Sequence, residues 1–156
     1  MAEKKIKILY VGKTTDSFLK EGISLYMKRL QHYVGAEEIT IDPPKSTDAK
    51  KAIEAESELL LKRVNPSDFL ILLDERGKSL GSVELAAVLE KQMLTSASKI
   101  IFVTGGAYGT GPRLRERANL ILSFSKFTFT HQMIRLLLAE QLYRAMTITR
   151  KEKYHH

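Results

Sequence analysis

Apolar runs that alternate with amphipathic, helix-length segments constrain this chain more than any other feature. Ile6-Lys7-Ile8-Leu9-Tyr10-Val11 reads as a strand ending at Gly12, and residues 16–33 carry Phe18, Leu19, Ile23, Tyr26, Met27 and Leu30 at helical spacing. A short strand, Glu38-Ile39-Thr40-Ile41, stops at Pro43-Pro44, and Thr47 or Asp48 can cap a helix reaching Arg63. Phe69-Leu70-Ile71-Leu72-Leu73 reads as a strand, residues 74–81 as a turn and residues 83–93 as a helix. Lys99–Val103 is the next strand, leading through a glycine-rich loop to a short helix over residues 113–118. Leu120–Ser123 is a last strand, and residues 131–149 form a long, mostly apolar helix. Three of the strands are apolar on both faces, as a sheet covered on both sides requires. The expected fold is α/β, a single domain over residues 1–156 built on a parallel sheet, with any ligand beyond the carboxyl ends of the strands.

At 156 residues the chain buries a core without staples, and it contains no cysteine. Disulfides, thiolate metal sites and thiol catalysis are therefore excluded. The short apolar run after Met1-Ala2-Glu3-Lys4-Lys5 makes neither a signal peptide nor a membrane span. The net charge is +7 and lopsided: residues 1–111 hold 16 basic and 15 acidic side chains, whereas residues 112–156 hold 9 and 3. Such a C-terminal excess fits a polyanionic partner, nucleic acid first, or else a solubilising surface.

Gly12-Lys13-Thr14 after the first strand is not a P-loop, because the earlier glycine of that motif is replaced by Lys7. Gly105-Gly106-Ala107-Tyr108-Gly109-Thr110-Gly111 is not the dinucleotide fingerprint either, and no acidic residue follows where a ribose would need one. Four glycines in seven residues still mean close backbone approach, in either a tight strand-to-helix connection or a ligand-facing loop. Residues 123–131 (Ser-Phe-Ser-Lys-Phe-Thr-Phe-Thr-His) place three phenylalanines where a short polar turn is expected. Something must bury them: the core of a knotted or dimeric fold, or an apolar cleft for a flat ligand such as adenine. Thr130 is a plausible cap for the last helix. His131 and Arg135 stand four residues apart on one helix face, as a reactive pair or as a terminal hydrogen-bonding residue and a structural ion-pair partner. Glu140 falls on another face and is expected to serve another surface, such as an interface.

Taken together, the residues resemble one family over nearly the whole chain. The resemblance rests on Val11-Gly12-Lys13, on Glu21 through Tyr26 to Lys28-Arg29-Leu30, on Leu72-Leu73-Asp74 with Gly77-Lys78, and on Gly105–Gly109. It rests most of all on Leu122–Phe129 leading to His131-Gln132-Met133-Ile134-Arg135, on Glu140–Ala145 and on the closing Tyr154-His155. These resemble the RlmH family of 23S ribosomal RNA pseudouridine N3-methyltransferases, of the SPOUT class. The resemblance implies a C-terminal trefoil knot, a cytoplasmic homodimer, no metal and no membrane, and S-adenosyl-L-methionine held by Leu73, Gly105 and Phe124, Ser125, Lys126, Phe127, Thr128 and Phe129. It also implies a catalytic set of His131, Arg135, Tyr154 and His155. In that set His131 serves as base or base-orienting group, Arg135 holds a phosphate or stabilises charge on the target base, and the tail closes over that base. The family usually has proline before the histidine, where this chain has Thr130. The assembled ribosome is the expected substrate, since a chain this small has little surface for reading sequence. The competing readings are a non-catalytic ribosome-associated RNA-binding protein and, more weakly, a nucleotide-dependent oxidoreductase.

Overall fold

A computed structural model describes residues 3–95 and 98–156; Met1-Ala2, part of the N-terminal segment considered above, lie outside them. Five strands, β1 (Ile6–Val11), β2 (Ala36–Ile41), β3 (Phe69–Ser79), β4 (Ile100–Thr104) and β5 (Leu120–Ser123), form one sheet in the order β2-β1-β4-β3-β5. Every pairing is parallel, with Leu9 opposite Val103 and Leu72 opposite Val103 from the other side. The helices are α1 (Ser17–Leu30), α2 (Ala49–Leu61), α3 (Ser82–Leu94), α4 (Pro112–Arg117) and α5 (Met133–Thr149).

The two-residue period of the strands divides the core in two. Ile6, Ile8, Tyr10, Ile71, Ile100 and Phe102 point to the face covered by α1, α3 and α5, meeting Leu19, Ile23, Leu85, Leu89, Leu138 and Leu142. Leu9, Val11, Leu70, Leu72, Ile101 and Val103 point to the other face, against Leu60 of α2 and Leu114 of α4. Successive helices thus alternate faces, which explains strands that are apolar at every position. Each fully buried Leu or Ile contributes roughly 1.5–3 kcal/mol.

Several boundaries differ from the sequence reading by one to three residues, α1 for example ending at Leu30, and three differences bear on the site. β2 begins at Ala36, because its first half pairs with β1 from Ile6↔Ala36 onward in spite of Glu37 and Glu38. α5 begins at Met133, leaving His131 in the turn before it. Residues 74–79, expected to turn, instead prolong β3: after an irregularity, Lys78 pairs with Leu122 and Ser79 with Ser123. Their charges belong at this rim, and Gly77 is what admits them. A Cβ there would lie 2.5 Å from the Ile121 carbonyl oxygen, closer than real atoms approach.

Candidate active site

The carboxyl ends of β3, β4 and β5 open into a cleft of about 740 Å³, within the range of small-molecule sites. Its floor is the glycine loop after β4. A Cβ on Gly105 would stand 3.0 Å from Thr110 Cγ2 and 3.1 Å from the Gly109 carbonyl carbon, so the bare backbone is what leaves the cradle open. Phe124, Phe127 and Phe129, from the segment between β5 and α5, supply an apolar wall, with Phe127 78% exposed. Leu73, Ser125 and Thr128 complete the overlap with the expected binding set. Lys126, the remaining member, is exposed and does not line the cleft.

Asp74, where the pairing of β3 becomes irregular after Leu73, ties the cleft together. Its Oδ2 accepts hydrogen bonds from Thr110 Oγ1 (2.9 Å), Arg115 Nη1 (2.7 Å) and Arg76 Nη2 (3.0 Å), while Oδ1 accepts from the Arg76 backbone N–H (2.8 Å). Burial alone would push this carboxyl up. The bonds from Arg76 and Thr110 outweigh it and hold the group down to about 2. Asp74 therefore fixes the glycine loop, through Thr110, and α4, through Arg115, against β3. Thr128 Oγ1 donates to Glu75 Oε2 at 2.7 Å, securing the phenylalanine segment to the same strand. None of these anchors was predicted. The signal available was an acidic residue at a strand end, which is ambiguous without its distant partners.

The pH consequence follows from the direction of the shift. The folded value lies below the ordinary 3.8, so the carboxylate's stabilisation is complete above about pH 4 and is lost as pH falls toward 2. The side chain is only 7% exposed, and the effect amounts to about 2 kcal/mol. In thermal melts Asp74→Asn is expected to be less stable than the parent at pH 7, with the gap closing near pH 2. A gap constant across that range would refute the assignment.

His131 and Ile134 line the cleft at its rim. Burial, and then the nearby positive charge of Arg135, push the His131 imidazole below its ordinary pKa. It is therefore neutral at pH 7 and able to accept a proton. Thr130 Oγ1 accepts from the Met133 N–H at 3.0 Å, so this threonine satisfies a donor in the first turn of α5. Gln132 Oε1 accepts from the Thr15 N–H at 2.9 Å, joining this turn to the β1–α1 loop.

The other expected catalytic residues stand apart from the cleft. Arg135 is 0% exposed. It donates to the Val11 carbonyl (2.8 Å) and to Thr14 Oγ1 (2.9 Å), and its guanidinium lies 4.5 Å from the Tyr10 ring centroid. In this chain it anchors α5 to the end of β1 and offers nothing to a phosphate outside. Tyr154 and His155 fold back on the later part of α5. Tyr154 Oη donates to Glu140 Oε1 (3.1 Å), its ring packs edge-on to Tyr143 at 4.7 Å, and His155 Nδ1 lies 3.0 Å from Arg144 Nη1. Burial and the bonds to Tyr26 and Glu140 raise the Tyr154 phenol, keeping it protonated. Glu140, placed by the sequence on another surface, is the acceptor at the centre of this cluster. Glu140 lies about 10 Å along α5 from Met133, so the tail packs on the middle turns of the helix, away from the turn that holds His131. No tail residue lines the cleft of its own chain.

Among the described residues, no three His, Asp or Glu side chains are grouped to hold a metal ion, and no helix is long and apolar enough to cross a membrane. A family model described as "Predicted SPOUT methyltransferase" matches residues 4–155. A protein of Cytophaga hutchinsonii named ribosomal RNA large subunit methyltransferase H is 44% identical over 154 residues, covering 97% of this chain and 99% of the relative. One of the same name from Desulfotalea psychrophila is 46% identical over 151 residues, with the same coverage. A solved structure titled "Probable Methyltransferase" from Bordetella pertussis Tohama I superposes with a TM-score of 0.59 at 14% identity, covering 92% of this chain and 96% of that one, which speaks for the fold alone. With a parallel sheet, a glycine-floored cleft at its carboxyl edge and full-length relatives in agreement, the chain belongs to the SPOUT methyltransferase family, among the ribosomal RNA large subunit methyltransferase H proteins.

Proposed function

We propose that this protein is a cytoplasmic methyltransferase that moves a methyl group from S-adenosyl-L-methionine to N3 of a pseudouridine in 23S ribosomal RNA, acting on the assembled ribosome. The observation that carries the reading is the cleft itself: a side-chain-free floor at Gly105, a phenylalanine wall and a neutral histidine at one rim. The floor suits close approach of a polar ligand to backbone groups, and the wall suits an adenine ring. S-adenosyl-L-methionine, when bound, supplies an already activated methyl group, so the protein's task is mainly positioning. Gly105, Leu73 and the Phe124–Phe129 segment hold and orient it, and Asp74 keeps the two loops in register.

The target nitrogen carries a proton that must leave as the N–C bond forms. In this reading the neutral His131 imidazole accepts it, supported by its position on the cleft and its lowered pKa. Tyr154 and His155 pack against Glu140, Tyr143 and Arg144 of α5 and line no part of their own chain's cleft. We assign them to the cleft of a second copy, so that the working unit is a homodimer and each site takes its tail from the partner. α5 supports this: Ile134, Leu136, Leu137 and Gln141 remain only half-buried in the single chain. The C-terminal trefoil knot belongs to the same proposal, supported by β5 at the sheet edge while α5 returns to pack on both α1 and α3.

Calorimetric titration with S-adenosyl-L-methionine tests the cofactor, and tritium transfer to ribosomes against naked 23S RNA tests the substrate. His131→Ala is expected to bind S-adenosyl-L-methionine as the parent does and to turn over about 10²–10⁴-fold more slowly. The parent's rate should rise with pH through a value below 6.5. Unchanged turnover in the variant would remove His131 as the base. Absence of cofactor binding even with ribosomes present would leave a non-catalytic RNA-binding protein.

A further inference from the structure

The chain has nine arginines. Six are bound to acceptors of the protein itself: Arg76 and Arg115 to Asp74, Arg113 to Glu58, Arg117 to Asn119 and two carbonyls, Arg135 to Val11 and Thr14, and Arg144 to Glu140. Among the described residues, Arg29, Arg63 and Arg150 have no such partner, and two of these three share one aromatic cluster. The Arg29 guanidinium lies 5.5 Å from the ring centroids of both Tyr26 and Tyr143, and that of Arg150 lies 5.0 Å from the Tyr33 ring. Tyr143 joins the set, 6.1 Å from Tyr26 and 6.0 Å from Tyr33, and its edge contact with Tyr154 places the pair beside the C-terminal tail.

A guanidinium stacked on a tyrosine face loses rotamer freedom while its N–H edge stays available. Both arginines are exposed, one in the last turn of α1 and one at the end of α5. An ion pair or protein hydrogen bond would occupy their donors; ring faces do not. Along the chain Lys28 precedes Arg29, and Lys151 and Lys153 follow Arg150; the nearby carboxylate of Glu152 is taken up by Tyr33 Oη at 2.7 Å. The arrangement matches planar, two-pronged recognition of phosphate more closely than it matches a merely solubilising surface.

We propose that Arg29 and Arg150, held in place by Tyr26, Tyr143 and Tyr33, form a phosphate clamp for the RNA strand that leads to the target base. The clamp rests on the reading of ribosomal RNA as substrate. It lies next to the tail that the same reading inserts into the site, so the strand engages Arg29 and Arg150 of the protomer whose Tyr154-His155 it meets. Phosphate neutralisation is visible as salt dependence, each contact steepening the log–log slope of affinity by roughly 0.7–0.9.

The test compares the full-length parent with the double variant R29Q/R150Q in binding to large ribosomal subunits across a salt series, alongside cofactor titration and methyl-transfer kinetics. The expected result is a slope shallower by about 1.5, a raised KM for ribosomes and a kcat within a few-fold of the parent, with S-adenosyl-L-methionine affinity unchanged. The exposed α2 pair, K50Q/K51Q, removes equal charge elsewhere and should leave the slope unchanged. Should the double variant lose cofactor binding and so declare itself misfolded, the single variants R29Q and R150Q decide, each losing about half of the effect. A parental slope and KM in variants that bind the cofactor would overturn the clamp. A parent that binds the cofactor but not ribosomal subunits would overturn the RNA reading, and the clamp with it.

Discussion

Gly105→Val is expected to weaken S-adenosyl-L-methionine binding at least 100-fold while the protein stays folded. A single added Cβ already comes within 3.0 Å of Thr110 Cγ2 and 3.1 Å of the Gly109 carbonyl carbon. Two γ-methyls must then go either into the loop, which is pinned through Thr110 to Asp74, or into the cleft. Either outcome removes the approach surface of the ligand, and a hundredfold loss corresponds to about 3 kcal/mol. The loop is on the rim rather than in the sheet, so the thermal midpoint should move much less than the affinity. Lys126→Ala provides the contrast: its side chain lies outside the cleft wall, and affinity should change less than twofold. Parental affinity in Gly105→Val would place the cofactor somewhere other than this cleft.

Arg135→Ala is expected to lower stability by about 3–5 kcal/mol, or roughly 10 °C in melting temperature for a domain of this size. The substitution empties a fully buried volume and leaves the Val11 carbonyl and Thr14 Oγ1 without their donor. Relief from burying a cation offsets part of the cost, since no carboxylate pairs with Arg135 at ion-pair distance among the described residues. Lysine keeps the charge but cannot reach two acceptors while lying over the Tyr10 ring, so Arg135→Lys should recover only part of the loss. Urea denaturation of both variants checks the order alanine, lysine, parent. A stable alanine variant with greatly reduced ribosome affinity would restore Arg135 to the RNA-binding role that the family resemblance implied.

Arg135 also shows where reading from sequence stops. Its spacing from His131 is visible in the chain, but the shared helix face that this spacing predicts does not form, because α5 begins only at Met133. Their environments were not visible. His131 sits just outside the helix, on the cleft, whereas Arg135, one turn on, is buried behind it. The glycine loop and the phenylalanine segment were legible because an unusual composition at a strand's carboxyl end has few structural uses. The extension of β3 was not, because charged residues around a glycine look like a turn until Gly77 is seen packed under Ile121. The Asp74 cluster joins residues 36 and 41 positions apart, a separation that local pattern does not encode.

The sequence by itself determined the α/β class, the parallel sheet with two buried faces, the family and the cleft-forming segments. Each of these follows from local periodicity, from glycine's lack of a side chain or from a long run of matching residues. Only the tertiary structure decided which way each side chain faces: Arg135 inward, Lys126 outward, Tyr154 and His155 against the middle turns of α5. Facing depends on packing between elements remote in the chain, and there a few residues separate one that lines the cleft from one that holds the fold.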